Sequence, residues 1–459
     1  MQGAIAAGHP LTAEAGADVL RAGGNAVDAC IAAAAVSWVC ESPLTGPGGG
    51  GFLLFHDAAA GRSVLLDFFV AVPERPAEST DMVELAVDFD GDTQQLFHTG
   101  PAAVAVPGVA LGLWEAHRRF GSFAWPDLLA PAARLARDGV VVDEPRAYLH
   151  RILDPLLRHS PEGDALYGPG RARSVGETFA MPELAETLDR LAADGPDVLY
   201  RGELAERIAG HVPLALEDLA RYDVVERQPL SVAYRGGEFR TNPPPSSGGK
   251  LLAVGLDSLG DADPTPLAVA QAMDAQEAAR DAGPLRGTTH ISVVDAAGDA
   301  ASLSCSLGSG SGVVVPGTGI HLNNMLGEAD LAGGAQPGGR LASMMAPSLL
   351  LEEGRPRLVV GSAGSARLRG AILQVVANVA ARGLGVEEAI DAPRIHVEGG
   401  VAHCEDAAAA DELEAAGYPV VRWRQRNLFF GGVSAVEVCG DGTLAAAGDP
   451  RRGGAAVVV

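Results

Sequence analysis

Residues 284–324 read PLRGTTHISVVDAAGDAASLSCSLGSGSGVVVPGTGIHLNN, and the reading of this stretch decides the fold. Thr289 to Asp295 alternates as a β-strand does, with His290, Ser292 and Val294 on one face and Ile291 and Val293 on the other. Ala296-Ala297-Gly298-Asp299 predicts a tight turn, and Ala300 to Ser306 a returning strand. A threonine pair, Thr288-Thr289, therefore sits at the mouth of a hairpin just after Gly287. A mid-chain threonine has no base of its own. Scission of the Gly287–Thr288 bond would give Thr288 a free α-amine, whose reference pKa of about 7.7–8.0 suits it to act as base for the neighbouring hydroxyl. The plainer reading is that the pair only opens an edge strand.

Outward from this stretch, the chain has 459 residues and a net charge of −24. No basic stripe is present, which argues against nucleic acid as a partner. Lys250 is the only lysine, so Schiff-base chemistry has one candidate, and its surroundings do not suggest it. Five cysteines at positions 30, 40, 305, 404 and 439 have no metal-type spacing and predict reduced thiols of a cytoplasmic protein. His396, His403 and Cys404 are explained by a strand pair, and neither a metal nor another cofactor is expected. The N-terminal segment has no basic and apolar pattern of a secretory signal. The apolar run Ala26 to Cys40 is too short to span a bilayer and reads as a buried helix opened by Asn25, so no membrane is expected either.

Gly46-Pro47-Gly48-Gly49-Gly50-Gly51 satisfies a dinucleotide fingerprint on paper. It follows a helix and opens a strand, Phe52 to His56, which is the reverse of the required context. A second strand is expected over Ser63 to Phe69. Residues 100–225 read as mostly helical. Asn242 to Gly249, with three prolines, reads as an extended loop, and Leu251 to Gly287 as holding about one helix, Pro266 to Arg280. Gly361 to Arg367 follows a strand and opens a helix, Leu368 to Arg382, so its N–H groups form a natural anion site; simple capping is the plain alternative.

The Thr-Thr-His strand, the glycine run, Asn242 to Gly249, Leu322-Asn323-Asn324, Gly361 to Arg367 and Gly448 to Arg452 occur in one order, and together the chain resembles the γ-glutamyltransferase family over residues 3–455. That resemblance implies an α+β fold, an αββα sandwich of the N-terminal-nucleophile hydrolase type. It implies self-cleavage between Gly287 and Thr288 into a large subunit, residues 1–287, and a small one, residues 288–459, sharing one composite domain. It further implies Thr288 as nucleophile, Ser306 as a hydroxyl contacting its amine, and Gly364 and Ser365 as oxyanion donors. Asn324 belongs to the matched substrate-binding stretch, Glu328 stands where an Asp binds the donor's α-amine, and Ser343 remains from a serine pair that helps hold the carboxylate.

Besides Glu328 for Asp, three positions lose a polar group of the family pattern. Phe69 replaces an arginine that clamps the donor carboxylate. Gly308 replaces an asparagine, and Met344 the second serine. The expected activity is therefore acyl transfer or hydrolysis on a small-molecule amide, γ-glutamyl-like but with a non-standard donor. An acylase or biosynthetic enzyme with a non-glutamyl substrate is the alternative, and a catalytically inactive relative the remaining one.

Overall fold

The computed structural model describes residues 3–75, 81–88, 94–280, 288–327 and 336–459. Thirteen strands build its two large sheets. In chain order they are β1 Ala4–Ala7, β2 Gly50–Asp57, β3 Arg62–Phe68, β4 Val225–Arg227, β5 Leu230–Tyr234, β6 Gly237–Thr241, β7 Thr289–Val294, β8 Ala300–Ser306, β9 Ser348–Glu352, β10 Arg355–Ala363, β11 Gly432–Val438, β12 Leu444–Gly448 and β13 Ala455–Val458. The first sheet runs β13-β1-β7-β8-β2-β3-β4 and the second β12-β11-β10-β9-β6-β5. Strand β7 is thus interior to its sheet, paired on both sides, which corrects the edge-strand reading of Thr288-Thr289.

The alternation along β7 sorts its side chains as the sequence predicts. Ile291 and Val293 join one apolar cluster with Leu53, Phe55 and the helices α1 Pro10–Arg21, α2 Ala26–Cys40, α3 Val109–Phe120 and α4 Trp125–Asp138. Val294 points to the other cluster, shared with Phe52, Leu54, the second sheet and the helices that cover it. Helix, sheet, sheet and helix layers result: the αββα sandwich. Every residue of α2 is buried, and the helix opens on an Asn25–Asp28 capping box.

Two boundaries differ from the sequence reading. The glycine run does not stop before β2: Gly50 and Gly51 are already in the strand. A Cβ on Gly51 would stand 2.3 Å from the Ser304 carbonyl oxygen, and one on Gly50 2.7 Å from the Val70 nitrogen, so close approach excludes any side chain. A helix, Ser247–Leu259, starts inside the loop expected over Asn242 to Gly249 and precedes the one helix expected over Leu251 to Gly287, which runs Pro266–Ala278. In the Ser247–Leu259 helix the apolar positions Leu251, Leu252, Leu256 and Leu259 lie on one buried face, and that burial overrides the two glycines at its start.

His396 and His403 stand opposite each other in an antiparallel strand pair, as expected. All five cysteines are free, four of them buried. No helix among the described residues is long and apolar enough to cross a membrane. Strand β13 lies against β1, and the Val459 N–H donates to the Gly3 carbonyl at 2.9 Å.

Candidate active site

The site grows from one row of the first sheet. Thr289 pairs with Cys305, so Thr288, one residue earlier, abuts Ser306; Ser306 pairs with Gly50; and Gly51 pairs with Phe68, which sets Phe69 beside Gly50. Cross-strand neighbours share a face. Thr288, Ser306 and Phe69 therefore look toward the second sheet, and at Gly50 the Phe69–Val70 backbone packs too close for any side chain. Three strand spacings separate Thr288 from Phe69, about 14 Å.

Thr288 is 3% exposed and lines a cavity of about 400 Å³ together with Glu41, Ala363 and Arg452. Ser306 is buried beside it, and its hydroxyl accepts the Gly308 N–H at 2.8 Å. Gly308 adopts φ +73°, a left-handed turn that glycine makes at no steric cost. The sequence signal for this turn is the run Gly308, Gly310, Gly312 itself.

Ala363 ends β10 at the cavity wall, and the chain then turns sharply through Gly364, at φ +127°, and Ser365, at φ +68°. A left-handed serine is strained, and strain of this kind collects at functional turns. Close packing also surrounds the residue before it. A Cβ on Gly364 would lie 2.5 Å from the Gly431 Cα and 3.3 Å from Arg452 Nη1. The Ser365 hydroxyl is buried and meets no hydrogen-bond partner among the described residues.

His290, the third residue of the motif, faces the second sheet and lines the same cavity. Its ring nitrogens meet the hydroxyls of Ser304 at 2.8 Å and Ser292 at 3.0 Å. Burial pushes its pKa down to about 3, so it stays neutral near pH 7. Gly361 makes room for it, since a Cβ there would stand 2.2 Å from the ring.

Phe69, at the far end of this row, and Asn324, Ser343 and Met344 do not line the cavity. The Phe69 ring is buried and stacked on Phe52, centroids 5.4 Å apart. Asn324 is buried with its amide fully engaged: it donates to the His98 carbonyl at 2.9 Å and the Ser309 hydroxyl at 2.8 Å, and accepts from the Ser309 N–H at 3.0 Å. That arrangement pins the 308–311 turn. Ser343 and Met344 are buried under the start of the Ser247–Leu259 helix. The Ser343 hydroxyl accepts the Met345 N–H at 3.1 Å, and the Ser247 hydroxyl reaches the Met344 sulfur at 3.0 Å. Glu328 and Gly287 lie outside the described residues.

Glu41, at the cavity, escaped sequence reading, and Arg452 was read only as part of the Gly448–Arg452 stretch. Glu41 follows α2 and its carboxylate accepts the hydroxyls of Thr12, at 2.8 Å, and of Thr289. Burial pushes the Arg452 guanidinium down to about 10, and the nearby Glu41 charge opposes that shift. A separation of 248 residues hides the Glu41–Thr289 contact from any local pattern.

This architecture is shared. The profile of the family described as Gamma-glutamyltranspeptidase matches residues 12–263 and 259–459. A glutathione hydrolase proenzyme of Pseudomonas aeruginosa is 31% identical, with 100% of this chain and 94% of that protein covered. An acylase ACY 1 proenzyme of Pseudomonas sp. strain SE83 is also 31% identical over the same shares. The crystal structure of a cephalosporin acylase from Bacillus halodurans superposes with a TM-score of 0.84 at 27% identity, covering 99% of this chain and 95% of that one. Fold, collinear motifs and relatives agree: the chain is an enzyme of the hydrolase and transferase class with the N-terminal-nucleophile architecture, and it belongs to the γ-glutamyltranspeptidase family.

Proposed function

We propose that the chain is a proenzyme that splits at Gly287–Thr288 and then transfers or hydrolyses an acyl group through a Thr288 ester. The two pieces are residues 1–287 and 288–459. The free α-amine of Thr288 takes the proton of its own hydroxyl, and the oxygen attacks the amide carbonyl of the donor. The N–H groups of Gly364 and Ser365 stabilise the oxyanion. Collapse of the tetrahedral intermediate expels the donor's amine, which takes the proton held on the Thr288 ammonium, and water or a second amine, giving a proton back to the Thr288 amine, resolves the ester and frees the Thr288 hydroxyl. Ser306 orients the Thr288 amine, and the buried, neutral His290 leaves the role of base to that amine.

The donor follows from the Thr288–Gly50–Phe69 row, the single observation that carries this reading. A γ-glutamyl donor must bury an α-carboxylate, and a buried charge without a partner is costly. Phe69 supplies no partner, and Gly308 and Met344 remove an amide and a hydroxyl. Glu328 and Ser343 keep a role toward the donor's amine and polar end, and Asn324 shapes the 308–311 turn. The preferred donor is a small-molecule amide that carries an apolar or uncharged group where a γ-glutamyl donor carries its α-carboxylate. Relatives named as acylases beside glutathione hydrolases support such a shift. The five free thiols fit a reducing compartment, and on that ground we assign the enzyme to the cytoplasm.

Steady-state kinetics on a γ-glutamyl anilide against a panel of simple acyl amides tests this. The panel should yield the higher kcat/KM. A kcat/KM of about 10⁴ M⁻¹s⁻¹ or more on the γ-glutamyl donor would show that another group holds the carboxylate.

A further inference from the structure

The proposed chemistry gives no role to Glu41, which is 8% exposed and placed where a carboxylate is least favoured. It caps the C-terminal end of α2, where the helix dipole repels negative charge, and its burial adds a desolvation cost. Two hydroxyls converge on it. Thr12 of α1 donates to Oε1 at 2.8 Å, and Thr289 donates to Oε2. The surrounding backbone is shaped to the contact: a Cβ on Gly8 would lie 2.3 Å from Glu41 Oε2 and 3.1 Å from Thr289 Oγ1. Only a carboxylate accepts from both hydroxyls with two equivalent oxygens; an amide has one acceptor oxygen.

The contact matters because of what lies one residue away. Once freed, Thr288 is a chain terminus, and termini fray unless they are tied down. Its amine and hydroxyl must nonetheless be held to a fraction of an ångström to attack. The restraint has to come from its successor. The Thr289 backbone is paired with Cys305, and its side chain is held by Glu41. Glu41, Thr288 and Thr289 share one cavity wall with Arg452, whose guanidinium borders Gly364.

We infer that Glu41 is a positioning residue: its carboxylate anchors the Thr289 hydroxyl and thereby aims the amine and hydroxyl of Thr288 at the substrate carbonyl. This rests on the reading of Thr288 as nucleophile. Substrate binding does not depend on the anchor, so its loss acts on kcat and leaves KM in place.

The test compares self-split wild type with Glu41→Gln, Thr289→Val, Thr289→Ser and the Glu41→Gln/Thr289→Val double variant on the best amide of the panel. Thr288→Ala serves as a separate control. A hydrogen bond to a charged group sets the scale, so Glu41→Gln and Thr289→Val should each lower kcat about tenfold to hundredfold. KM should stay within about twofold. Thr289→Ser, which keeps the hydroxyl, should recover most of the rate. The double variant should be no slower than the slower single one, because both remove one interaction. Unchanged kcat in Glu41→Gln, a loss confined to KM, or losses that multiply would overturn the inference. If Glu41→Gln does not fold, the Thr289→Val and Thr289→Ser pair decides alone: equal kcat in the two overturns it. An inactive Thr288→Ala beside a full-rate Glu41→Gln removes only the role of Glu41. An active Thr288→Ala removes the nucleophile.

Discussion

The Phe69 ring lies against the Phe52 ring with centroids 5.4 Å apart and planes 22° from parallel. The position that would carry a donor clamp is thus part of the apolar layer between the sheets. Phe69→Arg should have two opposed effects. It should raise kcat/KM on a γ-glutamyl anilide by supplying the missing cation. It should also lower the unfolding free energy by about 3 kcal/mol, because a core ring is lost and a charge buried. Parallel kinetics and urea unfolding check this, and a variant as stable as wild type with no gain on the γ-glutamyl donor contradicts both halves.

Thr288→Ala should remain one chain by intact mass and be inactive, since no other step creates the proposed base. Splitting of the alanine variant at the same bond would disprove the mechanism.

Ser306→Ala should slow turnover and splitting. The lost hydrogen bond is worth about 0.5–1.5 kcal/mol, up to about tenfold in rate. Identical kinetics in the variant would mean that Ser306 does not orient Thr288.

Ser365 holds φ +68° without the freedom of glycine. Ser365→Gly should therefore raise the unfolding free energy by about 1 kcal/mol, and Ser365→Val should lower it by at least as much. Thermal unfolding of the two variants checks the order, and a valine variant more stable than the glycine one refutes it.

Three buried histidines tie stability to pH. Burial pushes His290 down to about 3, and His150 and His321 to about 4. His321 shows why: Nε2 accepts the Gly312 N–H at 3.1 Å while Nδ1 meets the Tyr167 hydroxyl at 2.8 Å, a pattern only the neutral ring makes. Below the unfolded value of about 6.5 the unfolded chain binds protons that the native one does not. Stability is therefore full above that pH and falls as pH drops toward 4. Each histidine costs up to roughly 2 kcal/mol at pH 5. Urea midpoints at pH 7 and pH 5 measure this, and equal midpoints rule it out.

The hairpin around Thr288 was legible because strand alternation is local: His290 and Ile291 announce their faces by neighbouring positions alone. The turn at Gly364 and Ser365 was legible for a similar reason, since Gly361 to Arg367 sits between a strand and a helix. The Ser247–Leu259 helix was not, because Gly248 and Gly249 lower its propensity and only burial of Leu251 and Leu256 against the second sheet and its covering helices restores it. Glu41 and Arg452 were hidden for a different reason. Glu41 acts through Thr289, 248 residues away, and belongs to no quoted motif, while Arg452 lies in a quoted stretch whose spacing says nothing of Glu41.

The neighbouring strands β1 and β13 have a practical consequence. Val459 N–H already donates to the Gly3 carbonyl, so a short linker could join these residues without bending either strand. Opening the resulting ring before Thr288 would give a circular permutant translated with Thr288 directly after its start methionine. Aminopeptidase trimming would then expose the threonine amine with no self-scission at all. Maturation and turnover, which the proposed mechanism couples in the present gene order, would become separate experiments in the same hydrogen-bonded sheet.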